Sequence, residues 1–248
     1  WAFSGPIFNC AQGPTFQRFF TKDLGLPMSR SPIIYNWTAS PELIKLGEDR
    51  AYSTNVTQIR VLFLGWLERE KGIFELLQAC EELQGTVNFN LTIAGNGHAM
   101  LEANTYVNVH GLSSIVSFLG WVHGDDLNRV LASSDVLVLP SWAEGFPNAL
   151  VEAMAAGLAV VTTMVGAIPS VLTDGREALL VPPRDGKALT KALRKVINDV
   201  DFRENLQRRG HEFARENFTI EPAVEKLTTV INKAILLNRG NINVGNTT

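Results

Sequence analysis

Short runs of apolar, often β-branched residues alternate with stretches of helical period through the middle of the chain. The runs predict six strands, at residues 59–64, 87–94, 116–119, 135–139, 159–162 and 178–181. Strands that alternate with helices and are apolar throughout are typical of a parallel sheet covered on both faces. The pattern therefore predicts an α/β fold with a doubly wound parallel sheet.

The sequence on either side of this unit has a different pattern. Three C-terminal helices are expected: one after Pro183 with apolar spacing over residues 189–197, a second around 202–213 and a third around 221–237. The third carries the apolar stripe Val224, Leu227, Ile231 and Ala234. We expect five segments: a remnant of a preceding domain (1–35), a polar linker (36–58), the main domain (59–220), a final helix (221–238) and a flexible tail (239–248). Residues 6–32 are expected to form a strand, a helix and a turn.

Composition narrows the class of protein. The chain has 248 residues, of which 46% are hydrophobic and 19% charged, which excludes a disordered chain. With 22 Lys+Arg against 25 Asp+Glu, the net charge of -3 offers no broad positive surface, so we expect no nucleic-acid partner. The two cysteines form no C-x-x-C pair, which argues against a zinc site. The uncharged stretch 153–173 contains Gly and Pro, so a helix end, a strand and a loop explain it better than a membrane span.

Glycines and polar residues cluster just after the expected strands. Gly65, Gly95, Gly120 and Gly166 each follow a strand, and residues 140–144 follow another. In a sheet of this type, ligands bind at the carboxyl ends of the strands, where the loops lead into helix N-termini. The sequence thus predicts a binding site at this edge.

The strongest candidate for chemistry is the segment 141–157, in which Glu144 and Glu152 are separated by seven residues. Pro147 suits a helix start and Gly157 suits its end. The free N–H groups of a helix start favour an anion such as a diphosphate, and two carboxylates can accept hydrogen bonds from sugar hydroxyls. The alternative is that Glu144 merely favours a helix N-terminus and that Glu152 is an exposed helix residue.

These residues resemble the E-x7-E motif of the retaining group 1 (family 4) glycosyltransferases of the GT-B fold. Other motifs of that family occur in the same order, in the segments 63–72, 93–97, 118–122 and 179–185. The resemblance covers roughly residues 30 to 230. It implies that the chain is the C-terminal, donor-binding half, with a Rossmann-like domain and a last helix that crosses back onto an N-terminal domain.

The resemblance also implies roles for individual residues. Glu144 would be the catalytic residue that contacts the transferred sugar, and Glu152 would accept hydrogen bonds from the ribose. Val122, with Trp121 beside it, would border the base. The remaining donor contacts would come from Gly65, Arg69, Lys71, Gly145, Phe146, Pro147 and Asn148. The donor is a substrate, so no cofactor is implied, and no metal is required.

Three positions depart from the family pattern. Trp66 stands where the family usually has an arginine that clamps the diphosphate, so one charge-assisted contact is missing unless Arg69 supplies it. Ala167 and Ser170 replace a common glycine and glutamate in the loop after the fifth strand. These departures put some of the donor contacts in doubt.

Other motifs are assigned structural roles. Asp199 and Asp201 have the spacing of a metal-binding D-x-D, but a helix N-cap explains Asp199 better. No G-x-G-x-x-G follows any strand, which argues against a dinucleotide dehydrogenase. The four histidines have no metal-ligand spacing and are expected in surface or structural roles: His98, His110, His123 and His211.

Taken with the resemblance, the sequence predicts a hexosyltransferase that moves a sugar from a nucleotide diphosphate sugar to a hydroxyl, with retention, in polysaccharide or glycolipid biosynthesis. The acceptor, a sugar or a lipid-linked sugar, would bind the missing N-terminal domain, so the fragment alone is expected to be inactive. The alternatives are a noncatalytic sugar-nucleotide-binding module and another GT-B enzyme. We expect a cytoplasmic protein, and the resemblance allows peripheral contact with the inner membrane face.

Overall fold

The computed structural model describes residues 8–50 and 58–244, with side chains described up to residue 237. The described strands are β1 (Ile59–Leu64), β2 (Phe89–Ala94), β3 (Val116–Gly120), β4 (Val136–Leu139), β5 (Ala159–Thr163) and β6 (Leu179–Val181). The α-helices are α1 (Pro14–Arg18), α2 (Pro41–Glu48), α3 (Ile73–Leu83), α4 (Met100–Val109), α5 (Asp125–Ala132), α6 (Asn148–Ala155), α7 (Ile168–Val171), α8 (Gly186–Asn198), α9 (Val200–Asn217) and α10 (Ile220–Val244).

The six strands form one parallel sheet in the order β3-β2-β1-β4-β5-β6. This is the strand order of a Rossmann-like fold, and it confirms the predicted doubly wound α/β class. The order reverses between β1 and β4, which pair in parallel through Val61 and Val136 and through Leu62 and Leu137. The loops that leave β1 and β4 therefore diverge to opposite faces of the sheet and leave a crevice between them.

Successive side chains of each strand enter two separate hydrophobic cores. In β1, Val61 and Phe63 pack with α3, α4 and α8, whereas Leu62 and Leu64 pack with α2, α5, α6 and α9. All four side chains are less than 10% exposed. Full burial of a Leu or Phe side chain stabilises a fold by roughly 1.5–3 kcal/mol. This two-sided burial explains why the strands are continuous apolar runs, and it fixes the positions of their carboxyl ends.

The N-terminal part differs from the expected strand and linker. An isolated bridge between Ala11 and Ile33 is the sole β-pairing in residues 8–50, so the strand expected within residues 6–32 is not formed by the described part of that range. Residues 36–50 of the expected linker contain α2, in which the side chain of Ser40 caps the helix by accepting a hydrogen bond from the amide of Leu43. The rest of the linker, 51–57, and residues 1–7 lie outside the described residues.

The C-terminal region contains the three expected helices. The N-caps of α8 and α9 are Asp185 and Asp199, whose side chains accept hydrogen bonds from the amides of Ala188 and Phe202. Helix α10 continues to Val244 and thus includes residues 239–244 of the expected flexible tail, while 245–248 lie outside the described residues. No helix in the described part of the chain is long and apolar enough to cross a membrane.

Candidate functional site

A cavity of about 490 Å³ opens at the carboxyl edge of the sheet, where the strand order reverses. Its wall combines the ends of β1, β2 and β4, the loop after β3 and the first turns of α6. The lining includes residues from segments that the sequence analysis singled out: Gly65, Trp66, Lys71, Gly95, Trp121, Val122, Glu144, Asn148 and Glu152. Pro147 lines it as well. The structure thus brings together residues from positions 65 to 152 of the sequence.

Glycines allow the loops beneath the cavity to approach closely. Gly95 has a φ of +151°, and a Cβ there would lie 1.8 Å from the carbonyl oxygen of Gly65. Gly72, with a φ of +70°, is the N-cap of α3, and a Cβ there would lie 2.1 Å from the carbonyl oxygen of Pro140. Larger residues at either position would push the loops apart. The glycines therefore determine how close the ends of β1, β2 and β4 lie.

The cavity contains an ion pair between two predicted site residues. Lys71 Nζ lies 2.7 Å from Glu144 Oε1, and the hydroxyl of Ser141 donates to the same oxygen at 2.7 Å. The side chains of Lys71 and Glu144 are 29% and 12% exposed. Because Lys71 follows β1 and Glu144 follows β4, the pair spans the point where the strand order reverses. Ser141 is a contact of Glu144 that the sequence analysis did not single out.

Helix α6 directs its N-terminus into the cavity. Pro147 is its N-cap, one position earlier than a first-turn proline, and Glu152 lies little more than one turn into the helix. The first amides of a helix have no intrahelical acceptor and carry partial positive charge, which favours an anion. The site therefore has a second source of positive potential besides Lys71.

Glu152 lines the cavity but is largely shielded from solvent. Burial raises the pKa of its carboxyl group above the ordinary value, because a buried carboxylate loses hydration. Hydrogen-bond donors of a ligand, such as vicinal hydroxyls, would restore part of that lost hydration. The alternative assignment of Glu152 as an exposed helix residue is not supported by this position.

Two tryptophans form an aromatic wall at the cavity. The ring centroids of Trp66 and Trp121 are 4.9 Å apart, and both side chains are more than half exposed. Such an arrangement is within the range of favourable aromatic pairs. Trp66, which the sequence analysis noted only as a missing arginine, thus forms part of the wall together with Trp121.

Asn36 supports the start of α6 from the N-terminal segment. Its side-chain amide donates to the carbonyl oxygen of Phe146 and to Asn148 Oδ1, both at 2.8 Å. Gln12 in turn donates to Asn36 Oδ1 at 3.0 Å. The sequence analysis placed Asn36 in a linker and did not connect it with the site, because Phe146 and Asn148 lie 110 and 112 residues away in the sequence.

Three predicted site residues do not line the cavity. Arg69 forms an ion pair with Glu102, and its guanidinium lies over the ring of Phe74, 4.7 Å from the centroid. Phe146 is 4% exposed and belongs to the core. Gly145 uses its carbonyl oxygen to accept a hydrogen bond from the amide of Ala167 at 2.9 Å. The structure therefore does not place Arg69 where it would replace the missing arginine at position 66.

The residues assigned structural roles have clear positions. Asp199 is the expected N-cap, and within residues 8–50 and 58–244 no three His, Cys, Asp or Glu side chains form a group able to hold a metal ion. His211 is buried and its Nδ1 lies 2.8 Å from the carbonyl oxygen of Ala155. His123 does line the cavity, which the sequence analysis did not expect.

Comparison with known proteins shows the family of the chain. The family model described as "Glycosyl transferases group 1" matches residues 58–199. The lipopolysaccharide core biosynthesis glycosyltransferase LpsE of Rhizobium meliloti is 30% identical over 193 residues, which is 75% of this chain and 55% of LpsE. The chain spans about half the length of the curated relatives it matches.

Solved structures share the fold. HepE of Anabaena, crystallised with UDP and glucose, superposes with a TM-score of 0.75 at 19% identity and covers 91% of this chain, which covers 63% of HepE. The C-terminal domain of LpcC, a group 1 family glycosyl transferase from Francisella tularensis, superposes with a TM-score of 0.62 at 21% identity. That match covers 73% of this chain and 95% of the LpcC domain. Both show the Rossmann-like fold of GT-B glycosyltransferases.

Proposed function

The chain belongs to the group 1 glycosyltransferases, and from this premise we propose that its cavity binds a nucleotide diphosphate sugar and presents the sugar for transfer to a hydroxyl group with retention of configuration. One observation carries the proposal: Lys71, Glu144, Glu152 and the start of α6 line a single cavity at the carboxyl edge of the sheet. HepE, which has the same fold, was crystallised with UDP and glucose, and that complex supports a ligand of this class.

The chemistry of the wall matches the parts of such a donor. The diphosphate would lie between Lys71 and the first amides of α6, Glu152 would accept hydrogen bonds from the ribose, and Glu144 would orient the transferred sugar. Trp121 and Val122 provide apolar surface for the base. The carboxylates are acceptors only, so they favour hydroxyl groups and disfavour a second anion.

Transfer requires stabilisation of the negative charge that develops on the departing diphosphate. Fixed amides and a lysine can supply several kcal/mol of such stabilisation without reorganisation. We propose that Lys71 and α6 perform this task without a metal ion. In the uncomplexed protein Lys71 is paired with Glu144 at 2.7 Å, so the incoming diphosphate and sugar hydroxyls would replace that pair with contacts of their own.

A binding experiment tests the proposal directly. UDP-, GDP- and ADP-glucose are added separately to the 248-residue chain and the midpoint of thermal unfolding is measured, because a ligand of the folded state raises it. We expect one of the three to stabilise the chain, and Lys71→Met to weaken its binding by roughly tenfold, the order expected for loss of a partly exposed charge-assisted hydrogen bond. Lys45→Met, which removes an exposed lysine paired with Asp49, should leave binding unchanged. Absence of stabilisation by nucleotide diphosphate sugars would contradict the proposal.

We further propose that the chain is the C-terminal, donor-binding half of a longer hexosyltransferase. The likeness to the LpcC C-terminal domain and the coverage of about half of its curated relatives support this division. An acceptor site on the other half would explain why this chain should bind a donor yet transfer its sugar slowly. The name of LpsE supports a role in polysaccharide or glycolipid biosynthesis. Efficient transfer to sugar acceptors by the 248-residue chain would argue against the division.

Catalysis itself is tested in the full-length protein. Glu144→Gln keeps the size of the side chain but removes its charge, and we expect turnover at saturating donor to fall by at least tenfold, as for loss of one preorganised electrostatic contact. Unchanged turnover would exclude the role of Glu144. A noncatalytic nucleotide-binding module is the second candidate, because Lys71 is the one Lys or Arg among the described residues lining the cavity. Donor binding without turnover in the full-length protein would favour that module.

A further inference from the structure

Trp142 joins the two halves of the site from a position outside the cavity wall. Its backbone amide donates to the carbonyl oxygen of Glu70 at 2.7 Å, and its indole Nε1–H donates to Glu75 Oε1 at 2.8 Å. Glu70 immediately precedes Lys71, and Glu75 lies in the first turn of α3. Trp142 therefore contacts the segment that carries Lys71 at two points, one on each side of that lysine.

The same residue lies within the loop that carries Glu144. Ser141, its neighbour, donates its hydroxyl to Glu144 Oε1, and the Ser141 carbonyl oxygen accepts a hydrogen bond from Thr163 at 2.6 Å. The loop after β4 is thus held on one side by β5 and on the other by the segment containing Glu70 and Glu75. A shift of Trp142 would change the distance between Lys71 and Glu144.

Arg184 lies over one face of the indole of Trp142. Its Cζ lies 4.4 Å from the centroid of the Trp142 ring, which is the geometry of a cation–π contact. Arg184 has a φ of +60°, the one non-glycine residue with positive φ in the described chain. L-residues adopt this conformation at an energetic cost that surrounding contacts must offset. The contact between the Arg184 guanidinium and Trp142 is one of the contacts that can offset this cost.

We propose that Trp142, covered by Arg184 and anchored to Glu75, is a positioning residue that sets Lys71 against Glu144. The effect of Trp142 on donor binding rests on the proposed function, whereas its effect on the position of the loop after β4 does not. Trp142 acts through Lys71, because the contacts from its side chain and its amide flank that lysine in the sequence. An aromatic ring without a donor cannot take this role, because the indole Nε1–H forms the hydrogen bond to Glu75.

Hydrogen exchange in the ligand-free chain tests the arrangement. Trp142→Phe keeps an aromatic ring but removes the indole donor, and Arg184→Gly removes the cation and relieves the positive φ. Each variant should speed exchange of the residue-142 amide by about 2- to 5-fold, which corresponds to the loss of one partly exposed contact. Arg184→Lys, which retains a cation, should restore most of the protection. Arg194→Ala, which removes a half-buried arginine that donates to Thr86, is the control.

Two results would overturn the arrangement. One is unchanged exchange at residue 142 in both Trp142→Phe and Arg184→Gly; the other is an equal increase in Arg194→Ala. Because Arg184→Gly removes a strained conformation, its thermal unfolding midpoint should not fall, which separates local loosening from general destabilisation. These measurements need no ligand, so they remain decisive if the proposed function fails.

Binding of UDP tests whether the positioning operates through Lys71. Trp142→Phe should weaken UDP by about 2- to 5-fold. In a Lys71→Met background, Trp142→Phe should not weaken UDP binding any further, because the effects of two substitutions are not additive when one residue acts through the other. Equal weakening in both backgrounds would show that Trp142 acts on the fold in general and would overturn the proposal. No detectable binding of UDP by the unsubstituted chain counts against the proposed function and leaves the exchange result to stand.

Discussion

Trp66 places an indole where members of this family usually carry a positive charge. Trp66 is 56% exposed and its ring packs against Trp121, so it adds apolar surface to the cavity but no positive charge to pair with a phosphate. Arg69, the nearest arginine in the sequence, is paired with Glu102. The diphosphate site that we propose therefore depends on Lys71 and α6 for its positive potential.

Restoring the charge should strengthen anion binding. We expect Trp66→Arg to bind UDP about 5-fold more tightly at low salt. This gain is smaller than that of a buried charge-assisted hydrogen bond, because solvent screens a partly exposed one. Its affinity should also fall more steeply with added NaCl than that of the unsubstituted chain, because screening weakens exposed charge pairs. Calorimetric titration at two salt concentrations measures both effects. Trp37→Arg adds the same charge at another exposed tryptophan, and a similar gain there would contradict a local effect.

Glu152 should make stability depend on pH in an identifiable direction. Burial raises the pKa of its carboxyl group above the ordinary 4.5, so the folded chain holds this proton at pH values where the unfolded chain has released it. The stability that this bound proton contributes is complete below the pKa of the Glu152 carboxyl in the unfolded chain. It is lost as the pH rises through the pKa of the same carboxyl in the folded chain. Glu152→Gln removes this dependence.

The difference in unfolding free energy between Glu152→Gln and the unsubstituted chain should therefore shift in favour of the variant as pH rises from 4.5 to 7. Urea unfolding at several pH values measures that difference, in which the contributions of other groups cancel. Glu42 provides a control of opposite sign, because hydrogen bonding to Ser40 and to its own backbone amide lowers the pKa of its carboxyl. Glu42→Gln should become relatively less stable as pH rises. A difference that stays constant for Glu152→Gln would show that its carboxyl is not perturbed by burial.

At the scale of elements, the loop after β5 packs against the loop that carries Glu144. A Cβ at Gly166, where φ is +58°, would lie 1.9 Å from the Glu144 carbonyl oxygen. Gly175 has a similar φ of +71° but nothing within 4 Å of its Cβ position. Replacement of either glycine would therefore strain the backbone to a similar degree, but only at Gly166 would the new side chain also clash with a neighbouring atom.

Gly166→Ala should destabilise the chain by about 2 kcal/mol more than Gly175→Ala, in the range expected for overpacking. It should also weaken UDP binding, because the clash displaces the backbone at Glu144, whereas Gly175→Ala should leave binding unchanged. Urea unfolding and calorimetric titration measure the two effects. Equal destabilisation by the two substitutions would show that the loop after β5 adapts without moving Glu144.

The elements differ in how well the sequence alone predicts them. Strand β1 has the predicted bounds, because a strand buried on both faces is a continuous apolar run that ends at a glycine. Helix α2 was missed within a stretch interpreted as a linker, although Ser40 followed by Pro41 is a typical N-cap and first helical residue. A short helix whose stability comes from packing on α6 carries only a weak pattern of its own.

The site was predictable where it depends on local motifs and not where it depends on tertiary contacts. Lys71, Glu144 and Glu152 all line the cavity, because each has a fixed place after a strand or in a helix, while their roles toward a donor stay predictions. The contacts of Arg69 with Glu102 and of Asn36 with Asn148 join residues from distant parts of the sequence. No spacing along the chain reports such pairs.

At the scale of the whole molecule, Arg50 connects the N-terminal segment to the main domain. Its guanidinium donates to three backbone carbonyl oxygens, those of Leu131 at 3.1 Å, Ser134 at 2.8 Å and Ala156 at 3.0 Å. Leu131 and Ala156 lie at the C-terminal ends of α5 and α6, where free carbonyls and the helix dipole favour a cation. Arg50 Nη1 also lies 3.9 Å from Asp135 Oδ1, and its side chain is 9% exposed.

Loss of this connection should destabilise the whole chain, because the three carbonyls and the partly buried Asp135 would lose a cationic partner. We expect Arg50→Met, which keeps much of the aliphatic volume, to lower the free energy of unfolding by about 3 kcal/mol. Arg215→Met removes an exposed arginine 4.0 Å from Glu48 and should cost less than about 0.5 kcal/mol. Urea unfolding of Arg50→Met is followed by fluorescence and by circular dichroism. If residues 36–50 and the sheet unfold as one cooperative unit, both probes should report the same transition, at a lower urea concentration than in the unsubstituted chain. If the two probes instead reported different transitions, residues 36–50 would detach before the sheet unfolds. Asn36 would then lose its contacts with the start of α6 at that first transition.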